Sequence, residues 1–173
     1  MKGTNKAMLE RTLIIVSLLL THEAIRAEPT WQEQQNLPQW AASVLGDKTF
    51  KASYALSAHL NPYYVQGDFN GDARLDLAVL IVERGTGQHG IAMLHAGATH
   101  AIIIGAGQAV GNSGKDLNWL DSWSIYSKDT PTRAAAHKPP LMKGDALFVQ
   151  KLEAASGLIY WNGARYRWYQ QGD

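Results

Sequence analysis

The apolar positions near residue 37 follow a helical period. Trp40 and Val44 are four residues apart, and so are Ala41 and Leu45, which predicts a single apolar side of a helix. Pro38 is tolerated in a first helical turn, and Gly46 is a suitable residue just after a last turn. This pattern predicts one short helix over about residues 37–46.

Downstream of the helix, apolar residues follow strand patterns that alternate with turn residues. The run Leu77–Val82 is continuously apolar, which predicts a strand buried on both faces at the centre of a sheet. The short connections between strands are typical of an antiparallel meander. The predicted fold class is therefore mainly β, an antiparallel sheet with one short N-terminal helix (α+β only in minor part). The predicted strands are 51–60, 76–84, 91–96, 100–106, 119–127 and 146–152.

The segment "GLIYWNGARYRWYQ" near the C-terminus predicts a further hairpin. Asn162-Gly163 is a strong signal for a two-residue turn, which would pair Trp161 with Ala164, Tyr160 with Arg165 and Ile159 with Tyr166. This register predicts a core face of Ile159, Trp161, Tyr166 and Trp168, and a solvated face of Tyr160, Arg165 and Arg167.

The N-terminal stretch has the layout of a secretory signal peptide. Three basic residues precede the apolar run Leu13–Leu20, and the small residues Ala24 and Ala27 follow it. The run is too short to span a bilayer, which needs about 20 residues. We therefore expect cleavage after residues 1–27, a single β-rich domain over residues 28–173, and a periplasmic or secreted protein without a transmembrane segment.

Removal of this stretch changes the charge balance. Residues 1–27 hold four basic and two acidic residues, so residues 28–173 hold 12 basic and 13 acidic ones and a net charge of about −1. A nearly neutral chain lacks the basic character typical of nucleic-acid binding, so no nucleic-acid partner is expected. The absence of cysteine excludes disulfides and cysteine–zinc sites, and favours a bacterial periplasm over a eukaryotic exterior.

The most informative motif is the acidic stretch "GDFNGDARLD" at residues 67–76. Asp68, Asn70, Asp72 and Asp76 occupy alternate positions that can direct side-chain oxygens at one cation, and Arg74 can contribute its backbone carbonyl. Three carboxylates within nine residues would repel one another if they converged without a cation. The spacing therefore predicts a structural Ca²⁺ site.

Two positions depart from an EF-hand loop. Ala73 stands where a glycine usually makes the sharp turn, at a cost on the order of 1 kcal/mol if its φ is positive. Val79 stands where a bidentate glutamate is expected. The loop is therefore not an EF-hand, and a metal-free turn rich in Asp and Asn remains the alternative.

The stretch "GDFNGDARLDLAVL" resembles the calcium loop of FG-GAP and VCBS repeats, whose usual form is GDFDGDGxxDLAVL. The resemblance implies side-chain ligation by Asp68, Asn70, Asp72 and Asp76 and backbone ligation by Arg74. A single motif does not make a complete propeller, which needs at least about four blades. More loosely, residues 28–173 resemble small uncharacterised exported bacterial proteins that have one such loop and a "YWNGxRYxWYQQGD" ending.

Aromatic residues are a second candidate site. Trp119 and Trp123 are four residues apart and would share a face if they lay on one strand. Aromatic residues at strand spacing are usually core, and that interpretation is favoured for most of them. The alternative is a surface that stacks on a sugar or peptide. The candidate residues for that surface are Trp119, Trp123, Tyr160 and Arg165.

Other groups give weaker signals. His95 and His100 flank a turn and could face each other on paired strands, but no third metal ligand is evident. Asp116, Asp121 and Glu153 could include an acid–base pair. The glycines of "GAGQAVGNSG" lack the helix and the Lys-Ser/Thr of a phosphate loop, so we interpret this stretch as a plain loop.

These patterns leave three functional hypotheses. The favoured one is a calcium-stabilised, non-enzymatic binding or inhibitory module of the bacterial envelope, with an unknown glycan or protein ligand. The second is a hydrolase of cell-wall or extracellular glycan. The third is a purely structural envelope component.

Overall fold

The computed structural model describes residues 36–130 and 139–172. The predicted signal peptide, residues 1–27, lies outside the described residues. Within them, no helix combines the length and apolar character needed to cross a membrane.

Two short helices begin the described chain. Helix α1, Gln39–Leu45, follows Pro38, buries Ala41 and Leu45, and ends at Gly46, which confirms the predicted helix. Helix α2, Lys48–Ser53, comes directly after it.

Helix α2 corrects the predicted strand over 51–60, since only Tyr54–Leu56 is extended there, as strand β1. The Asp47 side chain accepts hydrogen bonds from the backbone N–H groups of Thr49 (2.8 Å) and Phe50 (3.3 Å). This cap satisfies donors that a helix start would otherwise leave without partners, so even a six-residue helix forms there.

The first sheet is built around one central strand. Its other strands are β2 (Tyr64–Gly67), β3 (Asp76–Glu83), β4 (His89–Leu94) and β5 (Ile102–Gly105). On one side of β3, β2 pairs with its first half and β1 with its last residues; on the other side β4 pairs with β3 and then with β5, always antiparallel. The residues from Asp76 to Ile81 are all buried, which confirms the prediction of a central strand.

The second sheet is an antiparallel meander in which each strand pairs with the next. Its strands are β6 (Ser122–Tyr126), β7 (Ala146–Lys151), β8 (Ala155–Trp161) and β9 (Tyr166–Gly172). The described residues thus form nine strands in two sheets and only two short helices, with no propeller. The predicted mainly antiparallel β fold is confirmed.

The C-terminal hairpin has a longer turn than predicted. Trp161 pairs with Tyr166, not with Ala164, because residues 162–165 form the loop. The Asn162 Oδ1 atom accepts hydrogen bonds from the backbone N–H groups of Ala164 and Arg165, both at 3.0 Å, and this closes a four-residue loop.

The register therefore differs by two residues, but side chains alternate with a period of two. The predicted core face survives: Ile159 and Tyr166 are buried, and Trp161 and Trp168 pack against the core.

One continuous apolar core includes residues of both sheets. Ala41 and Leu45 of α1 join the strands β3, β4 and β5 of the first sheet, and Trp123, Leu147 and Ile159 come from the second sheet. A smaller cluster lies on the other face of the second sheet. It contains Ala146, Leu158 and Tyr169, with Tyr126, Met142, Phe148 and Tyr160 packed around them.

Candidate metal-binding loop

The acidic loop connects two paired strands of the first sheet. Strand β2 ends at Gly67, which pairs with Asp76 at the start of β3. Residues 68–75 between them form the hairpin connection. The five predicted ligand positions are therefore held close together by the pairing of β2 with β3.

Asp68 organises the backbone of this loop. Its Oδ1 atom accepts hydrogen bonds from the N–H groups of Gly71 (2.8 Å) and Asp72 (3.0 Å), and its Oδ2 atom accepts one from Ala73 (2.9 Å). Three successive N–H groups thus point at a single carboxylate. The carboxylate thus satisfies N–H groups that have no backbone acceptor within such a tight turn.

Asn70 and Asp72 continue the same arrangement. Asn70 Oδ1 accepts from the Asp72 N–H (2.9 Å), and Asp72 Oδ1 accepts from the Arg74 N–H (2.9 Å). The Asn70 side-chain amide also donates to Asp72 Oδ2 at 3.1 Å. This amide, helped by the Arg74 N–H, lowers the pKa of the Asp72 carboxyl, so Asp72 is a carboxylate at neutral pH.

Asp76 occupies the buried end of the loop. It is fully buried, and its two oxygens accept from the N–H groups of Asn70 (3.1 Å) and Ala96 (2.8 Å). Burial raises the pKa of this carboxyl, and the nearby charge of Asp72 adds to the effect. The Asp76 carboxylate therefore has an unfavourable environment that a positive charge would relieve.

A partly buried polar corner, formed by His95, Trp161 and Tyr166, lies near Asp76. His95 Nε2 and Tyr166 Oη are hydrogen-bonded at 2.8 Å. The Trp161 ring meets the His95 ring edge to face, with 5.0 Å between their centroids. Burial and the charge of Asp76 raise the pKa of Tyr166, so its hydroxyl keeps its proton. This corner brings β3 next to the β8–β9 hairpin of the second sheet.

Two loop residues have positive φ. Ala73 has φ 64°, as the calcium-loop register required, and Gly71 has φ 82°. A Cβ atom at Gly71 would collide with the Lys143 carbonyl, so no other residue fits there. For Ala73 the conformation is strained because a Cβ disfavours the left-handed region.

The loop is also bonded to the second sheet through Asp145, just before β7. The Asp145 N–H donates to the Asp68 carbonyl (2.7 Å), and the Asp68 N–H donates to Asp145 Oδ2 (3.2 Å). Asp145 Oδ1 accepts from the Lys128 N–H at 3.2 Å. Sequence reasoning missed Asp145, because it lies 77 residues from Asp68 and no local pattern marks it.

The acidic loop offers a cation only oxygen ligands. Across residues 36–130 and 139–172, no three His, Cys, Asp or Glu side chains are arranged to hold a metal ion. The loop carboxylates accept backbone N–H groups instead. Asp68 Oδ1 accepts two, whereas Asp68 Oδ2 and both Asp76 oxygens accept one each and keep a second acceptor site. The set of carboxylates, one amide and one carbonyl is all oxygen, which fits a hard cation such as Ca²⁺ and not zinc. The calcium site stays a prediction.

The four candidate residues of the aromatic surface do not share one face. Trp119 precedes β6, donates its ring N–H to the Ser113 carbonyl (3.0 Å), and packs edge to face on Trp168. The prediction that it lies on one strand with Trp123 is therefore wrong. Trp123 is buried in the main core and donates to the Pro62 carbonyl at 2.8 Å.

Tyr160 is half-buried and packs in the smaller cluster, on the face of the second sheet away from the main core. Arg165 is exposed in the hairpin loop. The aromatic residues near Tyr160 are Tyr126, Phe148 and Tyr169. A ligand surface made of Trp119, Trp123, Tyr160 and Arg165 together is thus not supported by this arrangement.

The two candidate histidines have separate surroundings. His95 binds Tyr166, whereas His100 is exposed and its ring is hydrogen-bonded to the neighbouring Thr99 hydroxyl at 2.8 Å. They do not form a shared site with a third ligand within the described residues.

The three other acidic candidates belong to turns. Asp116 accepts from the N–H groups of His89 (2.8 Å) and Asn118 (3.0 Å). Asp121 accepts from the Leu152 N–H (3.0 Å), and Glu153 is exposed with φ 57°. All three residues therefore have a structural role in turns, and nothing in their geometry favours acid–base catalysis.

No family model, curated protein or solved structure matches this chain. The geometry of the acidic loop is therefore the basis for a functional proposal.

Proposed function

We propose that this chain is an exported binding module of the bacterial envelope whose fold is stabilised by one Ca²⁺ ion in the loop at residues 67–76. The side-chain ligands are Asp68, Asn70, Asp72 and Asp76, and Arg74 contributes its carbonyl. The ligand of the module is a glycan or a protein. The order of basic, apolar and small residues in residues 1–27 supports export.

The observation that carries the proposal is the buried carboxylate of Asp76 at one end of a loop that holds two more carboxylates. Burial raises the pKa of Asp76, and Asp72 is ionised beside it. A bound divalent cation neutralises this local charge. The positive φ of Ala73 supports the same register, because a strained alanine persists only where surrounding contacts require it.

A structural role follows from the contacts of Asp68. The Asp68 side chain accepts three loop N–H groups. The Asp68 carbonyl also accepts from the N–H of Asp145, just before β7, and the Asp68 N–H donates to the Asp145 carboxylate. A cation that fixes Asp68 therefore also fixes the junction between the two sheets. The ion stabilises the fold, and no reaction step depends on it.

A binding function is favoured over hydrolysis because the other acidic candidates are used as turn acceptors. Asp116 and Asp121 each accept backbone N–H groups, and Glu153 lies exposed in a turn. A glycan hydrolase needs two carboxyl groups placed on either side of a scissile bond. The described residues offer no such pair among these three candidates.

The experiment is thermal unfolding in chelator and in millimolar Ca²⁺. If only the folded chain binds, the stabilisation is RT ln(1 + [Ca²⁺]/Kd), about 2.7 kcal/mol at a hundredfold excess over Kd. We expect Ca²⁺ to raise the melting temperature of the parent chain and of Asp121→Ala, but not that of Asp68→Ala. Equal melting temperatures of the parent chain in both conditions would contradict the proposal.

A further inference from the structure

The chain contains two Asn-Gly pairs, and their hydrogen-bonding environments differ in the structure. Asn70-Gly71 lies in the acidic loop and Asn162-Gly163 lies in the β8–β9 turn. In an Asn-Gly pair the backbone nitrogen of the glycine can attack the asparagine side-chain carbonyl. Glycine offers no Cβ to hinder this attack, so the local hydrogen bonds decide whether it occurs.

The Asn162 side chain is polarised for attack. Its Oδ1 atom accepts two backbone N–H groups, from Ala164 and Arg165, both at 3.0 Å. Donors aimed at a carbonyl oxygen stabilise the negative charge that develops there when a nucleophile adds to the carbon. Both Asn162 and Gly163 are exposed, and within the described residues no acceptor takes the Gly163 N–H.

We propose that Asn162 is a site of spontaneous deamidation in the folded protein. The Gly163 nitrogen loses its proton to solvent and bonds to Asn162 Cγ. The Cγ–Nδ2 bond breaks, the nitrogen leaves as ammonia after taking up a proton, and a five-membered succinimide remains. Water then opens the ring at either carbonyl. The products are aspartate or isoaspartate, with one water consumed and one ammonia released.

The Asn70-Gly71 pair is protected by its own loop. The Gly71 N–H donates to Asp68 Oδ1 at 2.8 Å, and removal of that proton beside a carboxylate is unfavourable. Asn70 Oδ1 also accepts an N–H group, from Asp72, so this contact does not distinguish the two sites. The difference is that Asn70 Nδ2 donates to Asp72 Oδ2 at 3.1 Å, which restrains the side-chain amide. Gly71 is also packed against the Lys143 carbonyl, so its backbone cannot rotate freely.

The modification would alter the hairpin that supports the partly buried polar corner of His95, Trp161 and Tyr166. Isoaspartate adds one atom to the main chain and changes the turn that pairs Trp161 with Tyr166. Tyr166 is the residue that binds His95. Deamidation therefore supplies a slow, irreversible covalent change at the end of the second sheet.

The test is incubation of the full chain at mildly alkaline pH in chelator, so that the result does not depend on a bound cation. Peptide mapping by mass spectrometry follows the exchange of the side-chain NH₂ for OH at each site. In the folded chain we expect Asn162 to react at least about tenfold faster than Asn70, which corresponds to about 1.4 kcal/mol in activation free energy. In denaturant, the two rates should become similar because both asparagines precede glycine.

A variant and a comparison of the two sites complete the test. Asn162→Gln should abolish the modification at that position, because ring closure through the longer side chain is slower, and should leave Asn70 as slow as before. Equal rates at Asn162 and Asn70 in the folded chain would overturn the proposal. So would faster reaction of Asn162 in denaturant than in the folded chain, because the two N–H donors would then not assist.

Discussion

The acidic loop and the loop before β6 both contain carboxylates that accept backbone N–H groups, but the two loops differ in how closely these charges are placed. In the loop before β6, Asp116 accepts two N–H groups and Asp121 accepts one, at separate places. In the acidic loop, Asp68 accepts three and Asp76 two, with Asp72 between them. The hydrogen-bonding role is the same in both loops, but only the acidic loop crowds its charges.

The difference indicates why one loop would need a cation and the other would not. An isolated carboxylate that accepts two backbone N–H groups is already well accommodated. Three carboxylates within nine residues add mutual repulsion, and burial raises the pKa of Asp76 further. The account therefore predicts that calcium changes the behaviour of the acidic loop alone.

The largest expected effect is that of Asp76→Ala. This substitution leaves the N–H groups of Asn70 and Ala96 without their acceptor at a fully buried position. We expect the free energy of unfolding to fall by about 3 kcal/mol, measured by urea denaturation. Asp116→Ala also leaves two N–H groups without their acceptor, but it should cost less, because Asp116 is only half-buried and Asn118 is exposed. It should retain the full response to Ca²⁺. A loss of that response in Asp116→Ala would break the comparison.

Asp68→Ala should come next. It removes the acceptor of three N–H groups in a partly exposed loop, so we expect a loss of about 2 kcal/mol in chelator. Asp121→Ala removes one such bond and should cost about 1 kcal/mol. Urea denaturation of both variants, with and without Ca²⁺, checks this. If Asp68→Ala were stabilised by Ca²⁺ as much as Asp121→Ala, the loop would not be the site of binding.

A smaller effect of opposite sign is expected for Ala73→Gly. Ala73 has φ 64°, and glycine at this position relieves a strain of about 1 kcal/mol. Glu153→Gly is the matched control, because Glu153 has φ 57° in a turn far along the chain. Both variants should gain stability, but only Ala73→Gly should bind Ca²⁺ more tightly in a calorimetric titration. Equal affinity of the two variants would show that the strain at Ala73 is unrelated to the cation.

The smallest effect concerns Glu83, a carboxylate outside both loops. Hydrogen bonds from the Thr86 hydroxyl and from the N–H groups of Gly85 and Thr86 lower the pKa of Glu83 in the folded state. Its contribution to stability is therefore present above the ordinary glutamate pKa and is lost as the pH falls through the folded pKa. The stability difference between the parent chain and Glu83→Gln should shrink in acid and be indifferent to Ca²⁺. A difference that grew on acidification would contradict this assignment.

Much of the fold was accessible from local patterns. The continuous apolar run Leu77–Val82 predicted the central strand, and the alternate acidic positions placed the loop directly before it. The apolar pattern does not predict helix α2, because six residues carry little periodicity. Asp47 was a usable signal, since an aspartate directly before a helix can cap its first N–H groups.

Other features depended on contacts that no local pattern records. The Asn-Gly pair correctly predicted a turn, but the Asn162 side chain binds two N–H groups and lengthens that turn to four residues. The strand predicted over 119–127 includes Trp119, whereas β6 begins at Ser122 and the Trp119 ring N–H binds the Ser113 carbonyl before the strand. The contact of Asp145 with Asp68 joins residues 77 positions apart.

The most direct test of the central claim is a crystal structure of the chain grown with Ca²⁺ and examined for anomalous scattering at the acidic loop. The account predicts one ion at about 2.3–2.6 Å from side-chain oxygens of Asp68, Asn70, Asp72 and Asp76 and from the Arg74 carbonyl. A well-ordered loop in millimolar Ca²⁺ with no ion, its carboxylates bound only to the backbone N–H groups described above, would contradict it.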